Sequence, residues 1–231
     1  MAVGQEEIVE HFHLTSSNSN ETLPLNWNIA PTNPIYIIKD GRTLDTASWG
    51  MIAPWQKNFL DARASQSHAI NARSESIHEK PTFREAFRRT RCLIPASGYY
   101  EWATALGKYS PKQPFYISHR ADSLLPIAGI WSSWVSEKGE EITTASIITQ
   151  EATGHLATIH SRMPVFMPED RWDEWLDTDN RAIEQLRSLM VVKEPDLIVV
   201  ARPVSSRVNL VANNGHELIE EIELGAPETL F

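Results

Sequence analysis

The chain points to an α+β fold. One domain spanning residues 1–231 is expected, built around a curved, mostly antiparallel β-sheet or barrel with helices at its periphery. Strand-like runs are short and numerous, and turn or proline signals punctuate them. Helical periodicity is confined to a few short segments. A hydrophobic content of 42%, with eight Trp and five Tyr among 231 residues, supplies a real core for one domain of this size.

In chain order, Ile8, Val9 and Phe12 share one face over 5–12, which predicts a short amphipathic helix. Residues 15–20 read as a polar loop. Pro31 and Pro34 lead into an apolar strand over 35–39. The dipeptide Asp40-Gly41 signals a hairpin turn, and 43–50 is the returning strand. Residues 82–90 form a helix with Phe83, Ala86 and Phe87 inward and arginines outward. Strands are expected over 91–102, 114–119, 124–135 and 141–150. A short helix over 153–159 is capped by Thr149 or Thr153. Helices follow over 168–176 and 180–190, with late strands over 197–203 and 207–211. Neither an internal repeat nor a low-complexity block appears.

Composition narrows the functional classes. No stretch approaches the ~20 apolar residues of a membrane span, and the first residues offer neither the basic nor the apolar region of a secretory signal. One cysteine, Cys92, excludes an internal disulfide and fits a reducing cytoplasm. The net charge of −9 opposes extensive coating of nucleic acid. Yet Arg63, Arg73, Lys80, Arg84, Arg88, Arg89 and Arg91 outnumber Glu75, Glu79 and Glu85 within one segment. A small basic face on an acidic body suits grip on one feature of a strand.

Three separated segments carry candidate chemistry. These are Ile70-Asn71-Ala72-Arg73-Ser74-Glu75, Gly98-Tyr99-Tyr100-Glu101-Trp102 and His160-Ser161-Arg162-Met163-Pro164. Converging in one pocket, Asn71, Glu101 and His160 would supply a directed hydrogen bond, a carboxylate acid/base and a titrating imidazole. Arg73 and Arg162 would share the strand faces of Asn71 and His160, ready for phosphate. Taken singly, each has a plainer reading: Glu101 as a solvated edge residue, His160 as a helix cap, Asn71 as a backbone partner. Cys92 lies in an apolar strand, where a thiol is inert. His11 and His13 lack the companions a metal needs, so neither metal nor cofactor is expected.

The order of the motifs favours the joint reading. Trp27-Asn28-Ile29-Ala30-Pro31-Thr32, then Trp49-Gly50-Met51-Ile52-Ala53-Pro54-Trp55, then Asn71-Ala72-Arg73-Ser74-Glu75, then 91–102, then His160-Ser161-Arg162-Met163-Pro164 closely resemble the SOS response-associated peptidase (SRAP) family. The resemblance runs from about Trp27 to the C-terminal strands. It implies one α+β domain that binds single-stranded DNA and captures abasic sites through an N-terminal cysteine; a monomer is expected. By resemblance, Asn71, Glu101 and His160 are the catalytic set. Arg73, Arg162, Trp49, Pro31, Trp102, Asn28 and Thr149 line the DNA path. A non-catalytic module for single-stranded or gapped DNA, and a self-processing peptidase, are the alternatives.

The beginning departs from the pattern. The family opens Met-Cys-Gly-Arg, whereas this chain opens Met1-Ala2-Val3-Gly4-Gln5. Either Met1 is an internal methionine of a longer frame or the chain is a variant with Ala2 at its terminus. In the latter case an imine is the most it could form with an aldehyde.

Overall fold

A computed structural model describes residues 2–17, 22–104, 109–192 and 194–224. The last part of the polar loop over 15–20, and Met1 itself, lie outside the described residues. The strands are β1 (Ser16–Ser17), β2 (Pro34–Lys39), β3 (Thr43–Trp49), β4 (Asn71–Arg73), β5 (Arg91–Ala96), β6 (Gly98–Trp102), β7 (Pro114–His119), β8 (Leu125–Val135), β9 (Glu141–Glu151), β10 (Arg162–Pro164) and β11 (Val199–Pro203). The helices are α1 (Gln5–His11), α2 (Phe59–Ser67), α3 (Arg84–Arg89), α4 (Trp172–Leu176) and α5 (Ile183–Leu189). Among the described residues, no helix is long and apolar enough to cross a membrane.

The large sheet runs β3-β2-β5-β8-β9 and closes on itself through parallel pairing of β3 with β9, Ser48 opposite Thr144 and Trp49 opposite Ala145. Closure removes the exposed edges that an open sheet would present. β1 extends the sheet beside β3, while β4 and β10 both lie on β9. A separate antiparallel sheet has the order β11-β7-β6. The expected α+β class with a mostly antiparallel, curved sheet and peripheral helices is what the chain adopts.

Both faces of the closed sheet are covered, so β2 and β5 read as continuous apolar runs. Tyr36, Ile38, Leu93 and Ile130 pack with Ile8, Phe12, Phe87, Trp172, Trp175 and Leu186 from the helices. Their neighbours Ile35, Ile37, Cys92 and Ile94 pack with Phe115, Ile117 and Val199 of the second sheet. Fully burying each such side chain is worth about 1.5–3 kcal/mol.

Five elements differ from expectation, the first being Ser16–Ser17, read as loop and found paired in parallel with β3. The run 91–102 is two strands, not one. Ser97 breaks it, and the halves join different sheets. The segment over 207–211 is a 3-10 turn, Ser206–Asn209, because Asn28 draws its carbonyls inward and leaves no strand partner. Residues 154–158 form a 3-10 turn whose preceding Thr153 makes no side-chain cap, and Thr149 sits in β9. Helix α2 has a weakly apolar face, which is why periodicity did not reveal it; Asn58 caps it by accepting from Asp61 N–H at 2.9 Å.

Candidate functional site

A cleft of about 940 Å³ opens where the chain leaves β5 and enters β6. Glycine is required at the turn-off: a Cβ on Gly98 would lie 2.4 Å from the Tyr116 ring and 2.6 Å from the Ile117 carbonyl oxygen. The close approach lets β6 lie along β7 with Tyr100 opposite Tyr116. Asn71, Arg73, Glu101, His160 and Arg162 all line this cleft, as do Trp49, Pro31, Trp102, Asn28 and Thr149.

Asn71 and Arg73 come from β4, whose parallel pairing with Ile147 to Thr149 of β9 buries Ala72 and turns its neighbours out. Among the described residues, neither the Asn71 amide nor the Arg73 guanidinium has a side-chain partner. Both are free to meet a ligand.

Glu101 shares one face of β6 with Tyr99. Its carboxyl is pushed above the usual carboxylate range by burial, against the pull of His160 and of the Trp102 N–H. That N–H donates to Oε1 at 3.1 Å, while Oε2 lies 3.5 Å from His160 Nδ1. His160 follows the 3-10 turn over 154–158, its own N–H donating to the Leu156 carbonyl at 3.1 Å. Nδ1 accepts the Arg162 N–H at 3.1 Å. Nδ1 also lies 3.2 Å from the Arg162 carbonyl, so this ring nitrogen faces a backbone N–H, a backbone carbonyl and the Glu101 carboxyl together. A carboxyl raised by burial beside an imidazole suits proton exchange between the two groups.

Arg162 was expected to stand ready for phosphate, and here its fork is already occupied. Nη1 and Nη2 donate to the two carboxylate oxygens of Glu75 at 2.6 and 2.9 Å, and Nη2 also reaches the Thr149 carbonyl at 2.7 Å. This pairing holds the Glu75 carboxyl below its usual range. The remaining donor, Nε, is buried without a partner. Arg73 is thus the unpaired cation of the two.

The basic surplus of residues 63–91 is also smaller at the surface than in the sequence. Arg91 turns inward, fully buried, and donates to the carbonyls of Phe87, Arg88, Trp175, Asp177 and Asn180. Arg88 and Arg89 sit 3.7 and 3.6 Å from Glu85. Asn28 lines the cleft with its amide already engaged: buried, it donates to the carbonyls of Val208, Leu210 and Asn213 at 3.0, 3.2 and 3.2 Å. The Trp49 indole N–H is spent on the Ile70 carbonyl at 3.1 Å, which fixes its ring in the cleft wall.

Sequence reasoning missed several lining residues. Ala2 lines the cleft, its N–H donating to Ser97 Oγ at 3.3 Å. Asn209 accepts the Trp102 indole N–H at 2.7 Å. No local pattern signals either contact, since the partners lie 95 and 107 residues apart. Cys92 is wholly buried on β5, and burial pushes its thiol well above the ordinary range. Among the described residues, no cluster of His, Cys, Asp or Glu could hold a metal ion.

The sequence pattern of the family described as "SOS response associated peptidase (SRAP)" matches residues 1–211. The chain belongs to the SRAP family. It is 35% identical over 218 residues to the Abasic site processing protein YoaM of Bacillus subtilis, covering 93% of each chain. To the Abasic site processing protein HMCES of Gallus gallus it is 32% identical over 208 residues, covering 81% of this chain and 60% of that one. Among solved structures, a Bordetella bronchiseptica protein shares 27% identity and a TM-score of 0.74, over 89% of this chain and 97% of the other. A Bacteroides thetaiotaomicron protein at 22% identity shares the fold, with a TM-score of 0.80 over 96% and 97% of the two chains.

Proposed function

We propose that the chain processes abasic sites in DNA, taking single-stranded DNA into the cleft between β4, β6 and β10. The observation that carries this reading is the Glu101–His160 pair, at 3.5 Å, in one cleft with the unpartnered Asn71 and Arg73. An abasic sugar exists as a cyclic hemiacetal that opens to an aldehyde. Opening takes a proton from the anomeric hydroxyl and returns one to the ring oxygen. Glu101 and His160 are placed to take those two parts. The Asn71 amide orients the sugar, Arg73 holds a flanking phosphate, and Trp49, Pro31 and Trp102 shape the strand path.

Capture of the aldehyde by an amine forms a C–N bond and expels water, leaving an imine. The stable thiazolidine that the family resemblance implies needs a thiol beside that amine to add across the C=N bond. Cys92 is wholly buried on β5 and burial disfavours its thiolate, so it does not provide that thiol.

The test is binding of a single strand bearing an abasic site against the matching duplex across a salt series, followed by borohydride trapping. Single-strand preference, affinity falling with salt, and a salt slope about one unit shallower in Arg73→Ala are expected. Trapping that Glu101→Gln slows separates processing from binding alone. Equal affinity for single strand and duplex, or affinity indifferent to salt, overturns the reading.

A further inference from the structure

We infer that Asn209 is a positioning residue that fixes the Trp102 indole as a stacking platform for the nucleobase next to the abasic sugar; the inference rests on the function proposed above. Trp102 ends β6 immediately after Glu101, is 38% exposed, and lines the cleft. Its indole N–H donates to Asn209 Oδ1 at 2.7 Å. The donor can only be the indole, so the acceptor atom of the amide is unambiguous.

Asn209 can serve because its own backbone is held. The buried Asn28 amide gathers the carbonyls of Val208, Leu210 and Asn213. Asn213 Nδ2 donates to the Arg207 carbonyl at 2.7 Å, and Asn214 Oδ1 accepts the Trp27 N–H at 2.8 Å. Val208 plugs into the interior while Leu210 and Val211 stay outside. The loop is thus a rigid wall tied to the strand-entry segment, and that segment is tied in turn to β6 by the Tyr100 hydroxyl donating to the Trp27 carbonyl at 2.8 Å.

The wall explains what Asn28 does. An amide that satisfies three carbonyls of one loop acts on the ligand through that loop, from one residue removed. The indole N–H points to Asn209, so the ring cannot turn that edge toward the strand and can offer its π surface only. Stacking of this kind is sequence-tolerant but grows with base size. A missing base leaves its neighbour without a stacking partner on one side, which a pre-oriented aromatic surface replaces. Pre-orientation matters because freezing a free side chain costs affinity at the moment of binding.

The test is a double-mutant cycle on affinity for single strands carrying an abasic analogue with either adenine or thymine next to it, using Asn209→Ala, Trp102→Phe and the double variant. Wild type should prefer the adenine strand. Asn209→Ala should lose roughly 3- to 10-fold on that strand, the range of one net hydrogen bond, with little change on the thymine strand and in thermal stability. Phenylalanine has no N–H to hold, so Asn209→Ala should add nothing in the Trp102→Phe background. Equal losses on both strands, or additive losses in the double variant, overturn the inference while leaving the proposed function standing. A wild type that binds neither strand overturns both.

Discussion

Replacing Arg91 with methionine tests where this arginine acts. The side chain is fully buried and closes five carbonyl contacts, among them Trp175 at 2.7 Å, Arg88 at 2.8 Å, Phe87 at 3.0 Å and Asn180 at 3.1 Å. These oxygens belong to the C-terminal turn of α3, to α4, and to the turn after it. Helix ends leave such carbonyls without intrahelical partners, and they carry partial negative charge. Burial lowers the guanidinium pKa to about 10, with Asp177 and Asp40 opposing, so the group stays charged at neutral pH. Methionine keeps much of the packing volume and removes every donor. Summing five charged hydrogen bonds would overshoot, because the contacts share one group. Breaking a buried, fully satisfied cation is worth about 3–5 kcal/mol. For a chain of this length that is roughly 6–20 °C in Tm. Thermal unfolding followed by circular dichroism reads the loss, and Arg91→Lys should fall between methionine and wild type. DNA binding of the folded variant should keep the wild-type salt slope. A Tm within about 2 °C of wild type, or a shallower slope with unchanged Tm, refutes the structural role.

Gly98→Ala places a methyl against the Tyr116 ring and the Ile117 carbonyl and should cost about 1–3 kcal/mol; an unchanged melting curve contradicts the tight β6–β7 approach. Arg162→Ala should lower Tm more at pH 7 than at pH 3.5. The Glu75 carboxyl is held low by Arg162, so its contribution exists above the normal carboxylate range and fades as pH falls through the folded value. Both partners are partly solvated, so the loss at pH 7 is about 1 kcal/mol, and an equal loss at both pH values argues against the pair. Glu101→Gln should behave in the opposite sense. A carboxyl raised by burial opposes folding once pH exceeds its folded value, so the variant should gain Tm near pH 8 and lose that gain at pH 4. Destabilisation near pH 8 in Glu101→Gln would count against the buried-carboxyl account.

The fold class was legible because apolar runs over 34–39 and 91–96 are too short for helices and too continuous for one-sided strands. The segments of the cleft were legible because Asn71-Ala72-Arg73, Glu101-Trp102 and His160 to Pro164 stand in apolar or proline-bound contexts that fix direction. What stayed hidden was non-local. Arg91 reads as the last member of a basic run, and only the packing of α4 and its following turn against α3 brings five oxygens together around it. Asn28 reads as a polar residue at a loop, and its acceptors lie some 180 residues away. Ser97 sits inside an unbroken strand-like run, and the break is imposed by two sheets claiming its two sides.

Strand β9 pairs with β3, β4, β8 and β10 at once. It is the template on which Asn71 and Arg73 meet Arg162, since Arg73 and Pro164 both lie opposite Thr149. A slip of one residue along β9 would invert β4, burying Asn71 and Arg73 and exposing Ala72. Such distant pairings form late, because loop closure must precede any reward from contact. Refolding should therefore recover sheet signal before it recovers ligand binding. The register of this one short strand thus decides whether a closed sheet also carries a usable cleft.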